Sequence, residues 1–330
     1  MKVAIVGIGA IAPLHINALK DCGQEIVALC DVEGTRCKEA VKEYGLSARV
    51  YTDYITMLDS EQIDAVHICT PHYLHAPMSC EALSRDINVL CEKPLVISEK
   101  QLDELEQAVQ ASKAFLGVCH QNRFRASLLY VKEFIGEREI TAASAALIWE
   151  RDAEYYASGA WRGKWETEGG GVMINQAIHS LDVLQWFCGM PETVKAHTAN
   201  HSLQGVIEVE DTAYGIFGLK NGGKFVINAT NAGKYPFPIY YMFRCGKDTV
   251  EISNDNIIIN DKFITKSDGL PIYGKEVWGV GHANLIRQYY NCLKTGKKFP
   301  VDYYEGRKVI QLILKMYQSN GELLFIGDNV

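Results

Sequence analysis

The 330-residue chain has no C-x-x-C pair among its ten cysteines, no excess of basic residues, no apolar run approaching 18 residues, no internal repeat and no low-complexity segment. Each absence removes a class of function. Cysteines scattered singly at 22, 30, 37, 69, 80, 91, 119, 188, 245 and 292 exclude the common zinc-ribbon and thioredoxin signatures. In a chain of this size they read as reduced, cytosolic thiols. Thirty-three Lys and Arg against 40 Asp and Glu give a net charge of −7. That lacks the electrostatic footprint that duplex binding demands, so nucleic acid is not an expected partner. Without a long apolar run, no membrane span is expected. The opening MKVAIVGIGAIAPL mimics a signal-peptide core, but it holds two glycines and a proline, and no small-residue cleavage site follows. The expectation is a soluble, cytoplasmic protein with enough chain for two domains.

What the chain does have is alternation. The apolar runs KVAIVG (2–7), EIVALC (25–30), AVHICT (65–70), INVLCE (87–92) and AFLGVC (114–119) suit parallel strands buried on both faces. Between them lie helical patterns such as EGTRCKEAVKEYG, stopped by Gly45, and SEKQLDELEQAVQASK, with Ser98 as N-cap. This spacing predicts βαβ units in a doubly wound parallel sheet over residues 1–120. Beyond that point a helical stretch near 123–135 leads to a strand in TAASAALIWE and a glycine-opened helix in EGGGVMINQAIHSLDVLQWFCG. From about 193 to 265, strands are separated by turn signals, the clearest being a hairpin at Asn221-Gly222-Gly223. Two helical segments close the chain. Residues 121–330 are therefore expected to form a second α/β domain on an antiparallel or mixed sheet.

Three clusters carry chemistry. Gly7-Ile8-Gly9-Ala10-Ile11-Ala12 has the G-x-G-x-x-G/A form directly after a strand run. Its first glycine permits the tight turn, the second lets backbone approach a pyrophosphate, and Ala12 allows close helix–strand packing. The helix N-terminus then faces the phosphates. Asp31 closes the next apolar run, about 20 residues on, where an acid meets the ribose 2′-hydroxyl. A carboxylate there accepts from the hydroxyl and repels a 2′-phosphate, which favours NAD over NADP. Arg36 either softens that repulsion or is an ordinary solvated helix residue.

Cys91-Glu92-Lys93-Pro94 and Thr70-Pro71-His72-Tyr73-Leu74-His75 both follow strand runs, at the carboxyl edge where open parallel sheets bind ligands. Lys93 there is a catalytic group or a surface charge. In Glu168–Asp182, Asn175 and His179 are four residues apart, which on an α-helix puts them on one face. His179 and Asp182 alone do not make a metal site, and none is expected. The plain alternative is a polar stripe packed against the sheet.

Taken together, GIGAIA, CTPHYLHAP, CEKPL, HQNRF, WRGKW with EGGGVMINQAIHSLD, GHANLIRQYY and VDYYEGRKV resemble the Gfo/Idh/MocA family of oxidoreductases over essentially the whole chain. The resemblance implies an N-terminal Rossmann domain and a C-terminal α/β domain on a large open, mainly antiparallel sheet. The face of that sheet commonly forms a homodimer or homotetramer contact. It implies oxidation of a secondary alcohol of a sugar, polyol or cyclitol to a ketone, or the reverse, by a nicotinamide. By position, Lys93 matches the lysine of the family's E-K-P motif and His179 its catalytic histidine, while Asn175 stands where an aspartate is common. Gly7, Gly9, Ala10, Ile11, Asp31 and Arg36 fall at the dinucleotide. Thr70, Pro71, His75, Glu92, Lys93 and Asn122 fall on the nicotinamide side, and Trp161 and Arg162 approach from the second domain. Tyr155, Tyr156, Arg162, Asn175, His179 and Lys93 are the expected substrate contacts, although loop packing accounts equally for the two tyrosines. Histidine suits the proton transfer and lysine the developing alkoxide. Two other readings use the same residues: a redox-cycling glycosidase or lyase that reduces NAD only transiently, and a dinucleotide-bound sensor without turnover.

Overall fold

The protein is described here from a computed structural model covering residues 1–234, 237–269 and 280–327. It divides into two compact units, Met1–Phe124 with the segment that ends at Gly306, and Arg125–Gly269 with the segment that begins at Arg307.

In the first unit strands and helices alternate: β1 (Lys2–Val6), α1 (Ala12–Asp21), β2 (Glu25–Cys30), α2 (Gly34–Tyr44), β3 (Arg49–Tyr51), α3 (Tyr54–Ser60), β4 (Ala65–Ile68), α4 (His75–Leu83), β5 (Asn88–Cys91), α5 (Glu99–Ala111) and β6 (Leu116–Val118). All six strands pair in parallel, in the order β3-β2-β1-β4-β5-β6. The order reverses between β1 and β4, which sets the ligand crevice at the carboxyl ends of those strands. Val3, Ala4 and Ile5 of β1 are fully buried, as a strand covered on both faces requires. Ser98 caps α5 by accepting from the Gln101 amide at 3.2 Å, and α2 stops at Gly45 in the left-handed region.

The second unit holds α6 (Ala126–Ile135), β7 (Ile140–Ile148), α7 (Ala153–Ala157), α8 (Ile178–Cys188), β8 (Thr193–Ala199), β9 (Thr212–Gly218), β10 (Lys224–Thr230), β11 (Tyr240–Cys245), β12 (Asp248–Ser253), β13 (Asn256–Ile259) and β14 (Lys262–Thr265). The chain continues through α9 (Gly281–Thr295), α10 (Tyr303–Ser319) and β15 (Leu323–Phe325). The strands of this unit form a nine-stranded sheet, β14-β13-β12-β11-β7-β10-β9-β8-β15, antiparallel except for the β7–β10 pair. Register sorts its two faces. Phe217, Phe225, Ala143 and Phe243 lie in one paired row and are buried. Phe243 stacks on Phe187 of α8 at 4.6 Å. The neighbouring rows carry Ile216, Val226 and Met242, and then Tyr214 and Tyr240, all exposed on the other face.

The alternation and the hairpin at Asn221–Gly223 are where the sequence places them. Two features differ. β3 and α3 are too short to stand out in the pattern. The helix α9 lies beyond residue 120 in sequence, yet it belongs with the first unit and packs on α1, and Leu285, Ile286, Tyr289 and Tyr290 are among its buried residues. All ten cysteines are free. No helix among the described residues is long and apolar enough to cross a membrane.

Candidate active site

The turn between β1 and α1 is shaped for a phosphate group. Gly7 has φ +86°, and a Cβ there would stand 2.6 Å from the Cys69 carbonyl, so only glycine fits. Gly9 has open space where a Cβ would be, and Ala10 is exposed beside it. Ile11 is the N-cap of α1, no side chain caps the helix, and Pro13 sits in the first turn. The positive end of the helix dipole thus faces the turn, with no acidic side chain in the first helical turn to compete for it. Ala12 is fully buried against the sheet.

Asp31 follows β2 and is buried. Its Oδ2 accepts from the Ile8 amide at 2.7 Å and its Oδ1 from the Glu33 amide at 2.9 Å, which ties the carboxylate to the glycine turn. Each oxygen keeps a lone pair for a ribose hydroxyl. Arg36 pairs with Glu33 at 2.5 Å on the surface, as a solvated helix residue does. At the end of β4 the Thr70 hydroxyl is buried without a hydrogen-bond partner, and Asn122 is buried in the short turn 121–124. An orphaned hydroxyl beside an open glycine turn is what a dinucleotide's polar atoms would satisfy.

Two residues expected on the nicotinamide side point their side chains elsewhere. The His75 ring is spent on backbone, Nδ1 lying 2.6 Å from the Pro94 carbonyl and Nε2 2.8 Å from the Thr70 carbonyl. Burial pushes its pKa below the ordinary value. Glu92 is buried, with Oε1 3.0 Å from His15 Nε2 and 3.3 Å from His282 Nε2. Burial alone would raise its pKa, but the two imidazole hydrogen bonds outweigh that and hold the carboxyl well below its usual range. A ring nitrogen of His15, a carboxylate oxygen of Glu92 and Cys119 Sγ lie within 4.8 Å of one another, close enough for a divalent ion. The hydrogen bond to His15 already satisfies the carboxylate, and burial keeps the thiol protonated by raising its pKa far above the usual value. Lys93 follows Glu92. From Val89 to Val96 it is the one residue that is not buried.

In the second unit Met173–Ala177 forms a π-helical turn that runs into α8. Its i→i+5 bonding means that four residues no longer complete a turn, so Asn175 and His179 are not stacked as an ideal α-helix would stack them. Asn175 donates instead to Glu168 Oε1 and to the Tyr155 hydroxyl, the latter at 3.3 Å. From Glu168 to Gln185, His179 is the one residue that is not buried. The Tyr155 hydroxyl also receives Arg162 Nη1 at 2.5 Å and Gln176 Nε2 at 3.3 Å. The Arg162 guanidinium lies over both Tyr155 and Trp161, 4.4 and 4.5 Å from their ring centres. Tyr156, expected at the substrate, is instead a core residue packed with Leu203, Ile207 and Val209, its hydroxyl accepting from Asn231. The motifs assign no role to Glu168, which also holds the Gly163 amide, or to Glu210. Glu210 accepts from the Gly171 and Met173 amides at 2.8 and 3.0 Å and from the Tyr317 hydroxyl at 3.0 Å. It thereby clamps the glycine turn ahead of the π turn.

Complete burial raises the Glu210 pKa from 4.5 to about 7. Between those values the folded protein holds a proton that the unfolded chain has released, so this group's contribution is full below pH 4.5 and fades as pH rises through 7. The span is on the order of 3 kcal/mol. Thermal melts of wild type and Glu210→Gln across that window should converge as pH rises, wild type losing stability that the variant keeps. Parallel curves would show that Glu210 stays ionised throughout.

Comparison with known proteins bears on the whole arrangement. Residues 1–120 match the profile of the oxidoreductase family with an NAD-binding Rossmann fold, and residues 130–251 match the GFO/IDH/MocA C-terminal domain. The chain belongs to the Gfo/Idh/MocA family. Like other Gfo/Idh/MocA oxidoreductases, it is an NAD-dependent dehydrogenase acting on CH–OH groups. It is 28% identical over 247 residues to D-glucoside 3-dehydrogenase of Escherichia coli K12, covering 68% of each chain. It is 27% identical over 206 residues to inositol 2-dehydrogenase of Salmonella paratyphi B, covering 61% of this chain and 59% of the relative. The WlbA dehydrogenase of Bordetella pertussis, solved with NADH and UDP-GlcNAcA, superposes with a TM-score of 0.89 at 28% identity over 99% of this chain and 98% of that one.

Proposed function

We propose that this dehydrogenase interconverts a secondary alcohol and a ketone on a sugar, sugar derivative or cyclitol, with Lys93 and His179 as its working groups. The observation that carries the reading is their shared setting: each is the single accessible residue in a run that is otherwise buried. Packing accounts for the neighbours, and it does not account for an accessible lysine and an accessible histidine. When bound, the nicotinamide supplies the hydride acceptor or donor. Asp31 selects the cofactor through the ribose, and the turn from Gly7 to Ile11 holds the phosphates, with Thr70, Pro71 and Asn122 at the nicotinamide end. The Lys93 ammonium stabilises the developing alkoxide. His179 takes the hydroxyl proton in oxidation and returns it in reduction. Asn175, Tyr155, Arg162 and Trp161 orient the sugar ring and its hydroxyls. Residues 1–120, with Asn122, serve the dinucleotide, and the rest of 121–330 the substrate and assembly. The exposed rows Ile216, Val226 and Met242, and Tyr214 and Tyr240, lie together on one sheet face and suit a second copy of the chain.

A panel of sugars, cyclitols and sugar nucleotides, assayed with NAD and with NADP, tests the reading. We expect NADH to appear in step with an oxidised product for at least one class. NAD should outperform NADP by about 100-fold in kcat/KM, the scale of a charge clash at a binding site. Product without net NADH would replace this reading with redox cycling. Cofactor binding without any product would replace it with a sensor.

A further inference from the structure

We propose that His15, His75 and His282 are positioning residues for Lys93, acting through the residues on either side of it. The proposal rests on the reading of Lys93 as a catalytic group and extends it to side chains that touch no substrate.

A lysine has a long flexible stem, so the backbone beneath it must supply its direction. That backbone is held on both sides. Before Lys93, the buried Glu92 carboxylate accepts from the Lys93 amide through Oε2 at 3.2 Å, while its Oε1 meets His15 of α1 and His282 of α9. After Lys93, the Pro94 carbonyl meets the His75 ring at the start of α4. Three helices thus fix the flanks of one accessible residue.

The clamp is itself backed. His15 Nδ1 lies 2.8 Å from His67 Nδ1, and His67 Nε2 lies 2.8 Å from the Tyr290 hydroxyl. Only one proton fits between two ring nitrogens at that distance. If His15 is neutral and donates from Nε2 to Glu92, its Nδ1 must accept from His67, and His67 Nε2 must accept from Tyr290. This pattern needs a neutral His67, and burial drives its pKa well below the ordinary value. Every ring nitrogen of His15 and His67 then has one role. A well-packed apolar cluster would hold three helices together at lower desolvation cost than a buried carboxylate with its imidazoles. What the ionic cluster adds is a defined position for the peptide that leads into Lys93.

The decisive comparison is His282→Asn against His282→Gln, two amides that differ only in reach. Glutamine brings its nitrogen to where Nε2 stands, and asparagine falls one methylene short. We expect the asparagine variant to lose about 10–100-fold in kcat, the scale of a sub-ångström misplacement at a reacting centre. KM for NAD should stay within about threefold, and glutamine should restore kcat to within about fivefold. Glu92→Gln, which keeps the volume but cannot accept from all three donors, should show the same kcat loss and decides the matter if the asparagine variant does not fold. In a Lys93→Met background, His282→Asn (or Glu92→Gln) should cost less than about twofold, because residues acting as one unit are not additive. An equal cost in both backgrounds, or a lower melting temperature with unchanged kcat per folded site, would overturn the proposal. Normal turnover in Lys93→Met alone would instead remove Lys93 from catalysis, a separate failure with its own signature.

Discussion

Lys93→Met lowers turnover by about 100- to 1,000-fold, the scale for losing one donor aimed at a developing oxyanion. The substitution keeps much of the stem's volume and removes only the ammonium, so the packing of Val89–Val96 around it should survive. NADH affinity should change by no more than a few-fold, because the proposed cofactor contacts, the turn Gly7–Ile11 for the phosphates and Asp31 for the ribose, do not involve Lys93. Steady-state kcat on the best substrate of the panel, read beside NADH fluorescence titration and a thermal melt, separates chemistry from binding and from folding. Turnover near the wild-type value would make Lys93 a surface charge, and the buried run around it would then be ordinary strand-end packing.

His179→Ala should remove most of the rate, by about 100- to 10,000-fold, and with it the pH dependence of alcohol oxidation. An imidazole that must accept a proton works only when neutral, so kcat in the oxidation direction should rise with pH and then level off. The alanine variant should lack that limb. Asn175→Ala should lower the rate and keep the limb, since the amide orients and does not titrate. Replacing Asn175 with aspartate has a more particular result. The amide donates to Glu168, which is fully buried, so an acid at this position would set two carboxylates against each other in a largely buried setting. One of them must then hold a proton, and the pair titrates as a unit. Asn175→Asp should therefore lose stability as pH rises, and its kcat profile should carry the titration of the acid pair on top of the histidine limb. An unchanged rate and limb in His179→Ala would mean that another group takes the proton.

The first unit was largely legible in the sequence because its signals are local. A glycine that must be a glycine, an apolar run ending in an acid, and a serine before a helical pattern each declare themselves within a few residues. The inward turn of Glu92 was not legible, since its partners come from α1 and from α9, far apart in the chain. His15 in the first turns of α1 and His282 at the start of α9 are the only marks they leave. His75 misled for a related reason: a histidine beside a strand end reads as a ligand contact until two carbonyls are found filling both its nitrogens. The π turn defeated the argument from spacing, because a face assignment assumes that every turn holds the same number of residues. Tyr155 and Tyr156 look alike in sequence, and only the packing of Leu203, Ile207 and Val209 tells which one belongs to the core.

The contrast between those buried runs and the segment from Trp149 to Thr167 bears on how such an enzyme diversifies. Around Lys93 and His179 almost every neighbour is packed, so a substitution there is paid for in folding before it reaches selectivity. The segment leading into the glycine turn is less tightly packed, and it carries the half-buried Trp149, Arg151, Tyr155, Trp161 and Arg162 and the exposed Trp165. Side chains there exchange at small thermodynamic cost while the hydride chemistry stays in place. A lineage built this way can keep its reaction and change its sugar, which fits relatives of 27–28% identity whose names specify different substrates.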